Sequence, residues 1–163
     1  MKSYFILNCE KQERIANSLY NFLESNNLVS TAKSFWNSLT RQDVMKVINT
    51  NPDLMEWFSS MNLRVRDISW TMYSEKTNLS MHTDEPPVIA KINFPVLNTE
   101  NTYNVWFDNN KKEIARVEST HPIVLRSNIP HTVEMGSIAK YPRLQFSFCF
   151  YNEPLHLLGS DTQ

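Results

Sequence analysis

Toward its C-terminal end the chain carries a segment with two incompatible faces, and that segment dictates much of the architecture around it. In residues 143–151 the apolar Leu144, Phe146, Phe148 and Phe150 alternate with Arg143, Gln145, Ser147, Cys149 and Tyr151. Successive side chains of a strand point to opposite sides of its sheet. The phenylalanine face therefore needs cover, whereas the other face is too polar for a dry core and suits the wall of a cavity. The same division recurs upstream, where Ala90, Ile92 and Phe94 alternate with Lys91 and Asn93. A sheet with helices outside and a polar pocket inside satisfies both segments.

The helices are available in the first half of the chain. After a short strand at 3–8, residues 11–25 place Ile15, Leu19, Phe22 and Leu23 on one helical stripe. The segment 31–39 carries Phe35, Trp36 and Leu39 at similar spacing and predicts a second helix. Thr40 followed by Asp43 reads as an N-cap with an acidic third residue, introducing Val44, Val47 and Ile48. Asn51-Pro52-Asp53 opens a further helix with Leu54, Met55, Trp57 and Phe58. From Leu63 onward the period changes to two. Strands are expected at 64–73, 88–95, 102–107, 113–117, 122–126 and 143–151, with breaks at 86–87, 98–101, 108–112 and 128–130. Short strands with regular breaks point to a sandwich or jelly roll.

Composition removes several function classes. Gly136 and Gly159 are the only glycines, so neither a Walker A loop nor a dinucleotide fingerprint can be built. A net charge of -1 gives no reason to expect a nucleic-acid partner held by a broad basic surface. Cys9 and Cys149 are far apart and form no CxxC pair, which argues against a disulfide framework or structural zinc and fits a reducing, cytoplasmic compartment. No stretch approaches a membrane span, and the start has too short an apolar run for a signal peptide. One domain accounts for the 163 residues.

The chemistry-bearing residues are His82-Thr83-Asp84, His131 and Arg143. On an extended segment His82 and Asp84 point the same way, so their donor atoms can meet one ion as neighbouring ligands. His131 follows Asn128-Ile129-Pro130 near a strand start, far enough along for several strands to return the chain beside the first pair. His121 and His156 are the rival third ligands; one sits in a turn-like stretch and the other in the tail. Two histidines and one carboxylate hold a non-haem Fe(II) on one face and leave the opposite face open. Arg143 shares the polar side of its strand, where a guanidinium can fork onto a carboxylate.

This order of HxD, distal His and late-strand Arg resembles the Fe(II)/2-oxoglutarate-dependent dioxygenase superfamily, over roughly residues 63–151. The resemblance implies a mainly β, α+β protein: a double-stranded β-helix, or jelly roll, with helices on the major sheet. Residues 1–62 would be helical support, 63–151 the β-helix core and 152–163 a tail. It implies Fe(II) held by His82, Asp84 and His131, with Arg143 on the distal carboxylate of the 2-oxoglutarate co-substrate. Lys91 and Asn93 resemble co-substrate positions of aspartyl/asparaginyl hydroxylase-like enzymes, although those typically lack the carboxylate that Asp84 provides. Tyr73 matches a co-substrate-binding phenol of prolyl-hydroxylase-like members. Gln145 stands where many members carry serine or threonine, and Ser147 lies further along the same face. The implied activity is O₂-dependent hydroxylation of a protein or peptide side chain, or of a small molecule, with release of succinate and CO₂. Trp70, Tyr73, Trp106 and Arg126 are expected at the substrate mouth, with 75–80 and 108–112 as rims. The alternative is a cupin-like metal-binding protein, an isomerase or small-molecule sensor without 2-oxoglutarate chemistry.

Overall fold

A computed structural model describes residues 2–32, 35–76 and 79–159. The chain runs β1 (Tyr4–Ile6), α1 (Gln12–Ser25), α2 (Leu28–Thr31), β2 (Trp36–Ser38), α3 (Arg41–Thr50), α4 (Pro52–Ser60) and β3 (Val65–Tyr73). There follow β4 (Ala90–Leu97), β5 (Thr102–Phe107), β6 (Glu113–Glu118), β7 (Ile123–Arg126), β8 (His131–Met135), β9 (Arg143–Phe150) and a 3₁₀ turn at Pro154–Leu158. Two antiparallel sheets face each other: a six-stranded sheet ordered β1-β7-β4-β9-β3-β2 and a three-stranded sheet ordered β6-β5-β8. An isolated bridge between His82 and His131 adds the HxD segment to the smaller sheet.

The two-faced strand β9 lies inside the large sheet, paired with β3 on one side and β4 on the other. Register carries its alternation across the sheet. Phe148 stands between Ile68 and Ile92, while its neighbour Ser147 stands between Ser69 and Asn93. The apolar row joins a core with Ile15, Leu19 and Leu23 of α1, Val44 and Val47 of α3, and Leu54 and Phe58 of α4. Phe58 meets Phe148 and Phe150 edge-on, with ring centroids 5.0 Å apart in each pair. The polar row faces the space between the sheets. One end of that space is filled by Trp106, Ile123 and Leu125, with Tyr4 stacked on Trp106. The other end is open.

The expected cap is present: the Asp43 N–H donates to Thr40 Oγ1 at 3.2 Å. The expected helix at 31–39 is not formed. Residues 33 and 34 lie outside those described, but Trp36–Ser38 is strand β2, paired with β3 from Ser69 to Thr71. Three apolar residues matched a helical stripe, but the edge of β3 offered unpaired backbone groups, and these now receive Leu39 N–H at Ile68 O and give Met72 N–H to Phe35 O. The strand start expected near His131 is the first residue of β8. Two segments read as support and tail contribute to the body: β1 and β2 form the large sheet's edges, and Leu158 is buried in the helix-side core. Residues 160–163 of that tail lie outside those described.

Candidate metal and co-substrate site

The open end of the sandwich holds a cavity of about 650 Å³. Each strand of the large sheet that borders it sends in alternate side chains: Ser69, Thr71 and Tyr73 from β3, Lys91 and Asn93 from β4, Gln145, Ser147 and Cys149 from β9. Opposite them stand Asn104, Val133 and His131 of the small sheet, and the segment carrying His82 and Asp84.

Backbone pairing brings the three candidate ligands together. His82 N–H donates to His131 O at 3.0 Å and His131 N–H returns to His82 O at 2.8 Å, while Asp84 N–H donates to Ser127 O at 2.8 Å. The HxD segment is thus extended, and its two side chains share one face. Asp84 Oδ1 lies 3.8 Å from His82 Nε2 and 3.6 Å from His131 Nε2. All three donor atoms fall within 4.8 Å of one another. Bonds of about 2.0–2.2 Å to a divalent ion would set ligands at right angles about 3 Å apart, closer than these donors stand, so the three side chains would draw together on binding. His121 and His156 are exposed elsewhere, beside Thr120 and Met61.

Each imidazole is oriented by a carbonyl two residues upstream. His82 Nδ1 lies 3.0 Å from Ser80 O and His131 Nδ1 lies 2.7 Å from Ile129 O. A carbonyl only accepts, so Nδ1 carries the proton and the Nε2 lone pair faces the gap, as metal-ligating histidines require. Burial of His131 pushes its pKa down to about 4, leaving the ring neutral near pH 7. The other Asp84 oxygen, Oδ2, accepts from Lys91 Nζ at 2.5 Å.

Arg143 is fully buried beneath Tyr73 and Gln145. Nε donates to Thr102 Oγ1 at 3.1 Å and Nη2 to Gln145 Oε1 at 3.0 Å, and the guanidinium lies 5.8 Å from the centre of the Tyr73 ring. Nη1 has no hydrogen-bond partner. Burial pulls the guanidinium pKa down to about 10, which still leaves it charged at neutral pH. Among the described residues no carboxylate pairs with it. A buried cation without a counter-charge is costly. Arg143 was expected to face the pocket, but it does not itself line the cavity; Tyr73 and Gln145, which contact it, form the wall there. Burial likewise raises the Tyr73 phenol pKa. Asn93 and Ser147, both expected near the co-substrate, bond to each other, Ser147 Oγ donating to Asn93 Oδ1 at 2.7 Å.

Three residues expected at the mouth are not there. Trp70 belongs to the helix-side core, because parity on β3 sends Ser69 and Thr71 inward and Trp70 outward. Trp106 fills the closed end, its indole N–H on Arg126 O at 3.2 Å. The Arg126 guanidinium is held on Lys2 O. Of the expected rims, Leu79 and Ser80 border the cavity, 77 and 78 lie outside the described residues, and the 108–112 turn closes on itself through Asp108. The mouth instead presents Phe35 and Trp36, which are 42% and 54% exposed. Their role was hidden because aromatic residues at helical spacing read as core.

No family profile and no curated protein matches the chain in sequence. Comparison of folds is more informative. A prolyl-4-hydroxylase from Pseudomonas putida superposes with a TM-score of 0.55 at 11% identity, covering 91% of each chain. The viral collagen prolyl hydroxylase of Paramecium Bursaria Chlorella virus-1 gives 0.56 at 11% identity, over 93% of this chain and 91% of that one. The chain shares the fold of these two prolyl hydroxylases. AviO1 from Streptomyces viridochromogenes superposes with a TM-score of 0.60 at 7% identity, over 92% of this chain and 90% of its own. At such identities the likeness describes the fold, and the chemistry must be argued from the side chains.

Proposed function

We propose that this protein is an Fe(II)- and 2-oxoglutarate-dependent oxygenase that hydroxylates its substrate and releases succinate and CO₂. One observation carries the reading: two imidazoles and a carboxylate converge at a cavity whose wall residues Tyr73 and Gln145 contact a fully buried arginine that has no counter-charge among the described residues. A cupin-like metal site without 2-oxoglutarate leaves that arginine unexplained.

In this reading His82, Asp84 and His131 hold the ferrous ion, and the bound ion with its co-substrate supplies the oxidising chemistry. The rest falls to the chain. Arg143 binds the distal carboxylate through Nη1, Thr102 and Gln145 fix the guanidinium plane, and Tyr73 offers its hydroxyl to the same ligand. Asn93 and Ser147 form the polar floor beneath it. The carbonyls of Ser80 and Ile129 keep both imidazoles in the ligating tautomer.

For the substrate, the two prolyl hydroxylases of like fold and the exposed aromatic lip of Phe35 and Trp36 support a protein or peptide side chain over a small molecule. The test begins without oxygen. Fe(II) and 2-oxoglutarate added to the protein should give the weak visible charge-transfer band of the chelate, and His82→Ala or Asp84→Ala should abolish it along with succinate formation. Full turnover by His82→Ala would refute the ligand set.

A further inference from the structure

Asp84 offers two oxygens, and the fold divides them. Oδ1 is the atom nearest both imidazole Nε2 atoms, at 3.6 and 3.8 Å. Oδ2 is taken by Lys91 Nζ at 2.5 Å. Both side chains are largely withdrawn from solvent, at 16% exposure for Lys91 and 21% for Asp84, so the pair is shielded better than a surface contact. Lys91 cannot turn elsewhere without leaving the cavity, because its neighbours Ala90 and Ile92 are fixed in the helix-side core and β4 parity aims position 91 inward.

We infer that Lys91 is a positioning residue that restricts Asp84 to a single metal bond, an inference that rests on the oxygenase reading above. A carboxylate with both oxygens free can occupy two positions of an ion. Held by an ammonium on Oδ2, it occupies one. With two imidazoles, that leaves three positions of an octahedral ion, two for a chelating oxoacid and one for O₂. Lys91 also offsets the Asp84 charge, so a bound divalent ion keeps its positive field for an anionic co-substrate. In this arrangement Lys91 contacts neither the metal nor the co-substrate.

The test uses Co(II) as a spectroscopic probe on the full chain, first alone and then with 2-oxoglutarate. Lys91→Met should change the visible Co(II) absorption before any 2-oxoglutarate is added and weaken Co(II) binding by about 10- to 100-fold, the usual effect of losing a residue that orients a metal ligand, with 2-oxoglutarate bound less tightly in consequence. Lys91→Arg, which keeps a cationic donor, should restore the wild-type spectrum. Circular dichroism melts keep the comparison to folded protein. Should Lys91→Met fail to fold, Lys91→Gln takes its place with the same expectation. A Co(II) spectrum unchanged in the Met variant overturns the inference, and if 2-oxoglutarate affinity alone has fallen, Lys91 binds the co-substrate directly. Absence of Co(II) bands in the wild-type protein would instead overturn the metal centre itself, and this inference with it.

Discussion

Replacing Arg143 with methionine separates what the residue costs the fold from what it gives to binding. The guanidinium is fully buried, spends one N–H on Thr102 and one on Gln145, and leaves Nη1 without a partner. An unsatisfied buried donor costs about 1–3 kcal/mol, and more when charged, while each bond retained contributes about 0.5–1.5 kcal/mol. These terms nearly cancel, and methionine fills similar volume without a charge. Thr102 Oγ1 and Gln145 Oε1 lose their donor in the variant, so the free protein should melt within a few degrees of wild type, at about 2–4 °C per kcal/mol for a chain of this size. Binding should respond more strongly. One or two charge-assisted hydrogen bonds to a carboxylate are together worth roughly 2–4 kcal/mol, which is a 30- to 1000-fold rise in the Kd for 2-oxoglutarate. Differential scanning fluorimetry reads the first effect, and anaerobic titration of the Fe(II) protein through its charge-transfer band reads the second. A Kd within threefold of wild type would show that Arg143 does not hold the ligand, and a large drop in melting temperature would show that it is needed by the fold.

Two further outcomes follow from the same contacts. His131 is held neutral by burial, with its pKa pushed from the ordinary 6.5 down to about 4. As pH falls, the unfolded chain takes up this proton first, so metal-free protein should lose stability between about pH 6.5 and 4. Urea unfolding across that window should show the slope, and His131→Gln should flatten it; equal slopes would exclude the assignment. Phe58→Ala removes the ring packed against Phe148 and Phe150 and should cost about 3–5 kcal/mol in urea unfolding. A loss below about 1 kcal/mol would mean that the helices cover the sheet without depending on this wedge.

How far the sequence exposed this design depended on whether a residue's neighbours were local or distant. The β9 alternation was visible because strand parity is a local property, and it correctly sent Phe148 toward the helices and Ser147 toward the cavity. His82 and Asp84 were legible for the same reason. What brings His131 to them is a reciprocal pair of backbone bonds across distant chain, and only the residue types hinted at it. Trp36 was misread because a three-residue edge strand is shaped by its partner β3 and not by its own periodicity. Trp70 and Trp106 were misplaced at the mouth because large aromatics suit a binding rim and a core equally well in composition; position on the strand decided between them. Lys91 could be aimed inward from parity, but its bond to Asp84 needed coordinates.

The inner space of the sandwich is divided between Trp106 with its neighbours at one end and the ligand-bearing hollow at the other. Mechanical cohesion of the two sheets is thereby anchored away from the reaction chamber. The aromatic lip is not separate from that chamber: the Phe35 ring stacks on Tyr73 with centroids 5.6 Å apart, so an exchange at the lip reaches the chamber wall through Tyr73.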